Sequence, residues 1–403
     1  MRSSAAVRFL AGVGVSGVGD WLTTFALAVV IYQATGSYTA TAGYFLVRVA
    51  PRPIGSWLGG PLGDLVSPRR AILGAAVAQG AFTAALAIPL STGRALWSVF
   101  VLAGLSQLVG GSWQPLTAAL MARLATGPSR HALNLAYVLL GGGAMLVSPA
   151  IGALLLPPLG AVPLVLTDAL TFVVAAVLFL TLPAMPGGAA RRLTLRGAAL
   201  GGFAAVLHQR LLRVIAMGAF SATVAITALQ AALPALASQR FGSAADAGWL
   251  YASVGLGSVS GSLLALWRPI RRPTVILPCM VLEIVGIGGV ALAGAPAADL
   301  LVLAVSTAAA SLAQVEGGVV VQSQAPATVG RIQGAVSTSR YLGMAGGAAL
   351  ALLLSLTLSW EVLVVLLTLA GLALLGASAL GPQETPDLLG SGVAASPLGQ
   401  IPD

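Results

Sequence analysis

The stretch AGVGVSGVGDWLTTFAL, residues 11–27, admits two readings. Gly12, Gly14 and Gly17 have the spacing G-x-G-x-x-G, which in an α/β domain wraps a dinucleotide pyrophosphate. Asp20 follows three residues later, a charge inside an apolar run. Context separates the readings. The nucleotide motif must follow a buried strand and open a helix, but only MRSSAAVRFLA precedes it here, and the apolar run continues through WLTTFALAVVIY. The glycines therefore predict close approach of neighbouring helices, on a membrane span that carries one desolvated carboxylate. The run from about residue 8 to 32 is too long for a cleaved leader, and no small-residue cleavage site follows it.

Composition extends this reading to the whole chain. Of 403 residues, 58% are hydrophobic and only 8% are charged, whereas soluble domains carry about a quarter charged residues. A bilayer core about 30 Å thick requires roughly 20 apolar residues per helix. The chain supplies twelve such stretches: 8–33, 38–62, 70–90, 96–123, 131–155 and 161–182, then 210–238, 245–267, 273–294, 299–323, 331–357 and 359–380. The expected fold is an all-α polytopic membrane protein of two six-helix bundles, 1–185 and 209–380. A linker at 186–208, rich in Arg, Gly and Pro, joins them, and a polar tail at 381–403 is expected to be disordered.

The chain has no lysine, so all 20 basic residues are arginines. Arg2, Arg8, Arg69, Arg70, Arg123, Arg130, the linker arginines, Arg268, Arg271, Arg272 and Arg331 fall at alternate connections, and the opposite connections hold little beyond Arg94 and Arg240. The positive-inside rule then places both termini and the linker in the cytoplasm, with the protein in the cytoplasmic membrane. Topology accounts for the net charge of +9, so no nucleic-acid partner is called for. Cys279 is the only cysteine, and His131 and His208 have no carboxylate or thiol at ligand spacing, so no metal site, disulfide or cofactor is expected. Without lysine there is no P-loop, and no Ser/His/Asp set points to an enzyme.

The halves resemble each other. TGSYTATAGYF opens the second span and FGSAADAGWL the eighth, and both spans end at Arg-bearing turns, GDLVSPRRA and WRPIRRPT. Repeated bundles around a midplane site are a transporter architecture.

At GGPLGDLVSPRRAIL the chain resembles the signature between helices 2 and 3 of the major facilitator superfamily, with Gly60, Asp64, Arg69 and Arg70 at matching positions; Leu65 stands where an Arg is usual. SGVGDWLTTFALAVVIYQATGS, LTDALTFVVAAVLFLTLP and APATVGRIQGA are similar to segments of its efflux branch, which exports macrolides and siderophores. GGGAMLVSPAIGALL keeps the branch's Pro149 and Gly152, a kink in the fifth span, but has Ser148 and Ala153 where glycines are usual. The resemblance implies helices 1, 4, 7 and 10 around a central cavity. On those spans lie Asp20; Gln107, Ser112, Trp113 and Gln114; Thr223, Thr227 and Gln230; and Gln314 and Glu316. It also implies a gate on the cytoplasmic side, formed by Gly60, Asp64, Arg69 and Arg70.

Asp20 lies about twelve residues into the first span, close to mid-depth, and Arg48 reaches a similar depth on the second, with Arg52 one turn away. A charge at mid-bilayer costs about 2.5–3.5 kcal/mol on insertion scales. Two readings follow for the expected Asp20–Arg48 pair: a proton-coupling site, or a static ion pair that fixes helix packing. Glu316 and Arg340 suggest a second pair, and Glu283 and Asp168 lie on spans that the resemblance makes peripheral. The functional expectation is a monomeric exporter of a small organic or amphiphilic solute, working by alternating access as a proton antiporter in the lipid bilayer. Uptake or uniport in the same fold, and a non-transporting receptor or scaffold, are the alternatives.

Overall fold

The computed structural model describes residues 2–56, 58, 66–93, 96–124, 128–184, 206–267, 273–322 and 326–380. Among the described residues, each of the twelve expected spans is helical over most of its length. The first half comprises α1 (Arg2–Thr35), α2 (Tyr38–Val49), α3 (Pro68–Ala85) with α4 (Ala87–Thr92), α5 (Leu96–Gly110) with α6 (Trp113–Leu124), α7 (Pro128–Leu159) and α8 (Ala161–Leu180). The second half comprises α9 (Arg210–Arg240), α10 (Ala247–Trp267), α11 (Ile276–Leu292), α12 (Pro296–Gln322), α13 (Pro326–Leu354) and α14 (Trp360–Leu380). Among the described residues, seven segments are long and apolar enough by themselves to cross a bilayer, and α11 is a shorter apolar helix. The eighth and eleventh spans are diluted by Gly, Ser and Arg340. The expected linker and tail lie almost wholly outside the described residues.

Three spans expected to be continuous are interrupted, the third at Leu86, and the breaks in the second and fourth shape the interior. The second stops at Ala50, turns through Pro51 and resumes as helix at 52–56, because proline has no N–H to extend the ladder and restricts the residue before it. The fourth breaks at Gly111 and Ser112. The breaks lie against each other: a Cβ on Gly111 would collide with the backbone of Arg52, and one on Gly55 with the carbonyl of Leu108. This backbone approach seats Arg52 beside Gln107.

The glycines of the opening stretch serve two neighbours. Gly12 and Gly19 face α8, at the ring of Phe179 and at Asp168 with Thr171; Gly14 and Gly17 face α7, at Leu140 and Ala144. Gly343 and Gly347 bring α13 onto α9, and Gly257 and Gly261 bring α10 onto α12. Between the halves, Gly248 lies on the carbonyl of Pro149 and Gly255 on the backbone of Leu146, joining α10 to α7. The α7 helix runs on through Pro149, and Gly152 gives room to Phe25 and Leu22 of α1. Without a hydrophobic drive between helices in lipid, such close contacts carry the association.

The repeat is present in detail. Gly36 (φ 61°) and Gly242 (φ 93°) turn the chain in the left-handed region that favours glycine. The hydroxyls of the adjoining Ser37 and Ser243 accept from the N–H groups of Ala40 and Ala245, at 3.3 and 3.2 Å. Tyr44 of α2 then donates to the carbonyl of Thr24 on α1 (3.4 Å), and Tyr251 of α10 to that of Gln230 on α9 (2.7 Å).

Apolar packing is uneven along the membrane axis. At the end remote from the termini, one continuous core unites both halves, including Phe25, Ile31, Phe45, Leu229, Leu236, Tyr251 and Leu363. Phe25 and Tyr251 meet edge-to-face at 6.3 Å, Tyr38 donates to the carbonyl of Ala228 (3.2 Å), and Ser355 to the hydroxyl of Thr39 (2.9 Å). At the terminus-bearing end the cores are separate: one of first-half residues around Phe9, Ile72, Leu120 and Phe179, one of second-half residues around Ile215, Met280, Ile332 and Leu375. The bundles are fused at one end and individually packed at the other.

The fused end of the second half is pinned by charge. Arg240 donates to Asp299 (2.7 Å) and to the carbonyls of Val290 and Ala291, and stacks over Trp360 at 5.6 Å. Asp299 is fully buried. Breaking such a pair on one side strands a buried charge, whereas replacing both partners with apolar groups does not. Arg240→Ala is therefore expected to lower stability by about 3–5 kcal/mol, and the double change Arg240→Met with Asp299→Leu to recover most of it, read by thermal unfolding in detergent. By the same assay, Gly255→Leu is expected to cost about 1–3 kcal/mol through overpacking of the α7–α10 contact. Gly143→Leu, which points into open space, is expected to stay within about 0.5 kcal/mol of the parent.

Candidate functional site

The expected pair forms. Arg48 donates through Nη2 to Oδ2 of Asp20 at 3.0 Å. The structure adds two partners. Arg52 approaches the same oxygen at 3.6 Å, and Gln107 donates through Nε2 to Oδ1 at 3.1 Å while its own Oε1 accepts from Nε of Arg52 at 2.7 Å. Asp20, Arg52 and Gln107 thus close a ring across α1, the 52–56 turn and α5, with Arg48 of α2 completing the carboxylate's coordination. Arg48 also lies over the ring of Trp21 at 6.0 Å, and the hydroxyl of Thr24 donates to the carbonyl of Asp20.

The charges differ in access. The Arg48 side chain is 8% exposed, against 24% for Asp20 and 25% for Arg52. One face of the ring is therefore open and the other is embedded in the first bundle. Behind it lies a cavity of about 10 Å³, space for the centre of about one water molecule. Asp20, Thr23, Tyr44, Arg48, Thr83, Ser106, Gln107 and Asp168 line it, with Leu27, Leu86 and Ala103. Gln79 is buried next to Gln107 across Gly110. Thr23, Tyr44, Gln79, Thr83 and Ser106 escaped the sequence reading. Their signal was helical spacing: Asp20 and Thr23, and Gln79 and Thr83, fall on single faces of otherwise apolar helices.

The other expected residues are dispersed. Gln107 belongs to the ring inside the first bundle, and Trp113 packs its indole against Phe172 and Phe179 of α8 at 6.0 and 5.8 Å. Gln114 is exposed and accepts from the hydroxyl of Tyr341, a side-chain contact between the halves. Gln314 is exposed and accepts from Nη2 of Arg340 at 2.6 Å. The suspected Glu316–Arg340 pair is absent among the described residues. Glu316 is buried. The Thr223 hydroxyl bonds to carbonyls of its own helix and of Arg340, Thr227 is buried, and Gln230 offers its carbonyl to Tyr251.

Of the four expected gate residues, Gly60 and Asp64 lie outside the described residues. Arg69 donates to the carbonyls of Phe179 and Leu180, at the C-terminus of α8 in its own bundle, where a cation complements the helix dipole. Arg213 makes the equivalent tie to the carbonyls of Ser378 and Leu207 in the second half. Arg70 is exposed.

Comparison with known proteins agrees with this architecture. Among curated proteins none matches the chain. Solved structures with the same fold include a mutant of the nucleoside transporter NupG (17% identity, 93% of this chain and 98% of that one, TM-score 0.67). A bacterial homolog of the human lysosomal transporter Spinster, inward-facing and unoccupied, matches at 14% identity over 94% and 91% of the two chains, with a TM-score of 0.67. A POT family transporter in complex with 5-aminolevulinic acid matches at 12% identity over 92% and 94%, with a TM-score of 0.70. The family model of the Major Facilitator Superfamily matches residues 9–348. A charge ring inside the first of two helical bundles joined at one end is thus carried by a membrane transporter, and the chain belongs to the major facilitator superfamily.

Proposed function

We propose that this protein exports a small organic or amphiphilic solute across the cytoplasmic membrane in exchange for protons, with Asp20 as the coupling carboxylate. One observation carries the reading: a carboxylate near mid-depth, partly accessible from one side, is held by two guanidiniums and an amide that come from different helices. Proton binding removes the one negative charge that faces Arg48 and Arg52. Two cations are then left in a low-dielectric interior without a counter-charge, and the ties among α1, α2, the 52–56 turn and α5 lose their electrostatic basis. A static pair that fixed one packing arrangement would need neither the second arginine nor an exposed face.

With both termini and the 186–208 linker in the cytoplasm, the fused end of the bundles faces outward and the separately packed end inward. The geometry then corresponds to the inward-facing limb of an alternating-access cycle. Gln114, Gln314 and Tyr341 offer amides and a phenol to a solute entering between the bundles, and Arg340 supplies a cation on the second half. Arg69, tied to α8, serves bundle integrity in this scheme, and Gln114 with Tyr341 is a contact between the halves.

Uphill transport in inverted membrane vesicles tests the proposal against a panel of cationic dyes, macrolides and siderophores. The expected result is proton flux evoked by at least one solute and accumulation of that solute. Asp20→Asn is expected to insert normally and to lose uphill accumulation at least tenfold. Uphill accumulation at parental rates in Asp20→Asn, or no evoked proton flux across the whole panel, would overturn the proposal.

A further inference from the structure

Asp168 sits on α8, a helix at the flank of the first bundle, yet its side chain turns inward and is 1% exposed. Among the described residues no cation pairs with it. The hydroxyl of Thr171, on the same helix, donates to its Oδ1 at 3.3 Å. Gly19, one residue before the coupling carboxylate, has no side chain, and a Cβ there would meet Oδ1 of Asp168. The absence of that methyl lets the Asp168 carboxyl lie against the α1 backbone beside Asp20. Both carboxyl groups line the same water-sized cavity. The Thr23 hydroxyl lines it as well, 6% exposed and beside the Asp168 carboxyl, and the cavity has room for about one water between the two acids.

We propose that Asp168 is a second proton-carrying carboxyl group, which exchanges its proton with Asp20 through a water in this cavity. The step balances without any further reactant. The O–H bond of the Asp168 acid breaks as its proton passes to the water, the water gives a different proton to a carboxylate oxygen of Asp20, and Asp168 is left ionised. Arg48 lines the same cavity. Once Asp20 is neutral, Arg48 is the cation positioned to follow the charge to Asp168. The titratable and charged groups that face Asp168 across the cavity are Asp20 from α1, and Tyr44 and Arg48 from α2; the cavity residues from α3 and α5 are Thr83, Ala103, Ser106 and Gln107, none of them ionisable as a carboxyl or amine. The relay stores a proton inside the bundle while Asp20 is ionised and paired, so that the conformational step and proton uptake from solution need not coincide.

The inference rests on Asp20 as the coupling carboxylate, and the test separates the two. Infrared difference spectroscopy of the reconstituted full chain, following a change of bulk pH, reads buried carboxylic acids by their C=O stretch and needs no transported solute. The parent protein is expected to show a band from each of Asp20 and Asp168 among those of its buried carboxyl groups. Asp168→Asn is expected to abolish one and Asp20→Asn the other, while Asp168→Glu shifts the band instead of removing it, which shows that the fold tolerates the position. In Asp20→Asn, hydrogen–deuterium exchange of the Asp168 band is expected to slow at least tenfold. If Asp20→Asn removes a band but Asp168→Asn leaves the spectrum unchanged, or the Asp168 band exchanges at the parental rate in Asp20→Asn, the relay is overturned and the coupling role of Asp20 stands. A spectrum that Asp20→Asn leaves unchanged overturns both.

Discussion

A carboxylate in the middle of a membrane must be neutralised, and most of the interior of the first bundle is arranged around that need. Asp20 is coordinated by Arg48, Arg52 and Gln107, and each of these depends on a local device. Arg52 reaches the site because the second span breaks at Pro51 and its continuation packs through Gly55 onto α5. Gln107 is at the right height because the fourth span bends at Gly111. Arg48 is buried because Tyr44, one turn earlier, anchors α2 to α1 through the Thr24 carbonyl. The desolvation cost of the charge is offset by all of them together, which is why the polar residues of five spans converge there.

The two halves repeat the scaffold but not the chemistry. Left-handed glycines, capping serines, anchoring tyrosines and the arginine ties to the last helix of each half recur in both. The charges do not. In the second half α10 carries no ionisable side chain other than Tyr251, and α9 has no charged residue between Arg213 and Arg240. Its internal charges sit instead on α11, α12 and α13, as Glu283, Glu316 and Arg340, with Arg240 and Asp299 at the fused end. A symmetric frame with an asymmetric charge distribution sets the Asp20 ring in one bundle alone.

Much of this was legible in the sequence because the bilayer leaves few alternatives. A charge within an apolar run demands a partner at the same depth, and depth follows from counting residues along alternating spans; Asp20 and Arg48 were matched in that way. The glycine spacing at 12, 14 and 17 was likewise readable as packing. What counting does not supply is rotation about each helix axis. Gln107 and Trp113 were placed on a cavity-lining span, but one turns into the charge ring and the other against Phe172 and Phe179. Asp168 was set aside as peripheral because its helix is peripheral, although a flanking helix still presents one face inward. Arg340 was given Glu316 on the basis of depth, whereas the side chain it reaches is Gln314 on a different face of the same helix. Breaks in spans two and four were hidden because glycine and proline are frequent in membrane helices whether or not the helix is interrupted.

The central claim is that the protonation state of Asp20 selects the arrangement of the two bundles. Distances between spin labels at the terminus-bearing ends of α6 and α9, measured in lipid as bulk pH is lowered, test it most directly. The account predicts that the parent protein changes its distance distribution with pH while Asp20→Asn holds a single distribution throughout. An Asp20→Asn protein that follows the parental pH response, or a parent that shows no response at all, would contradict it.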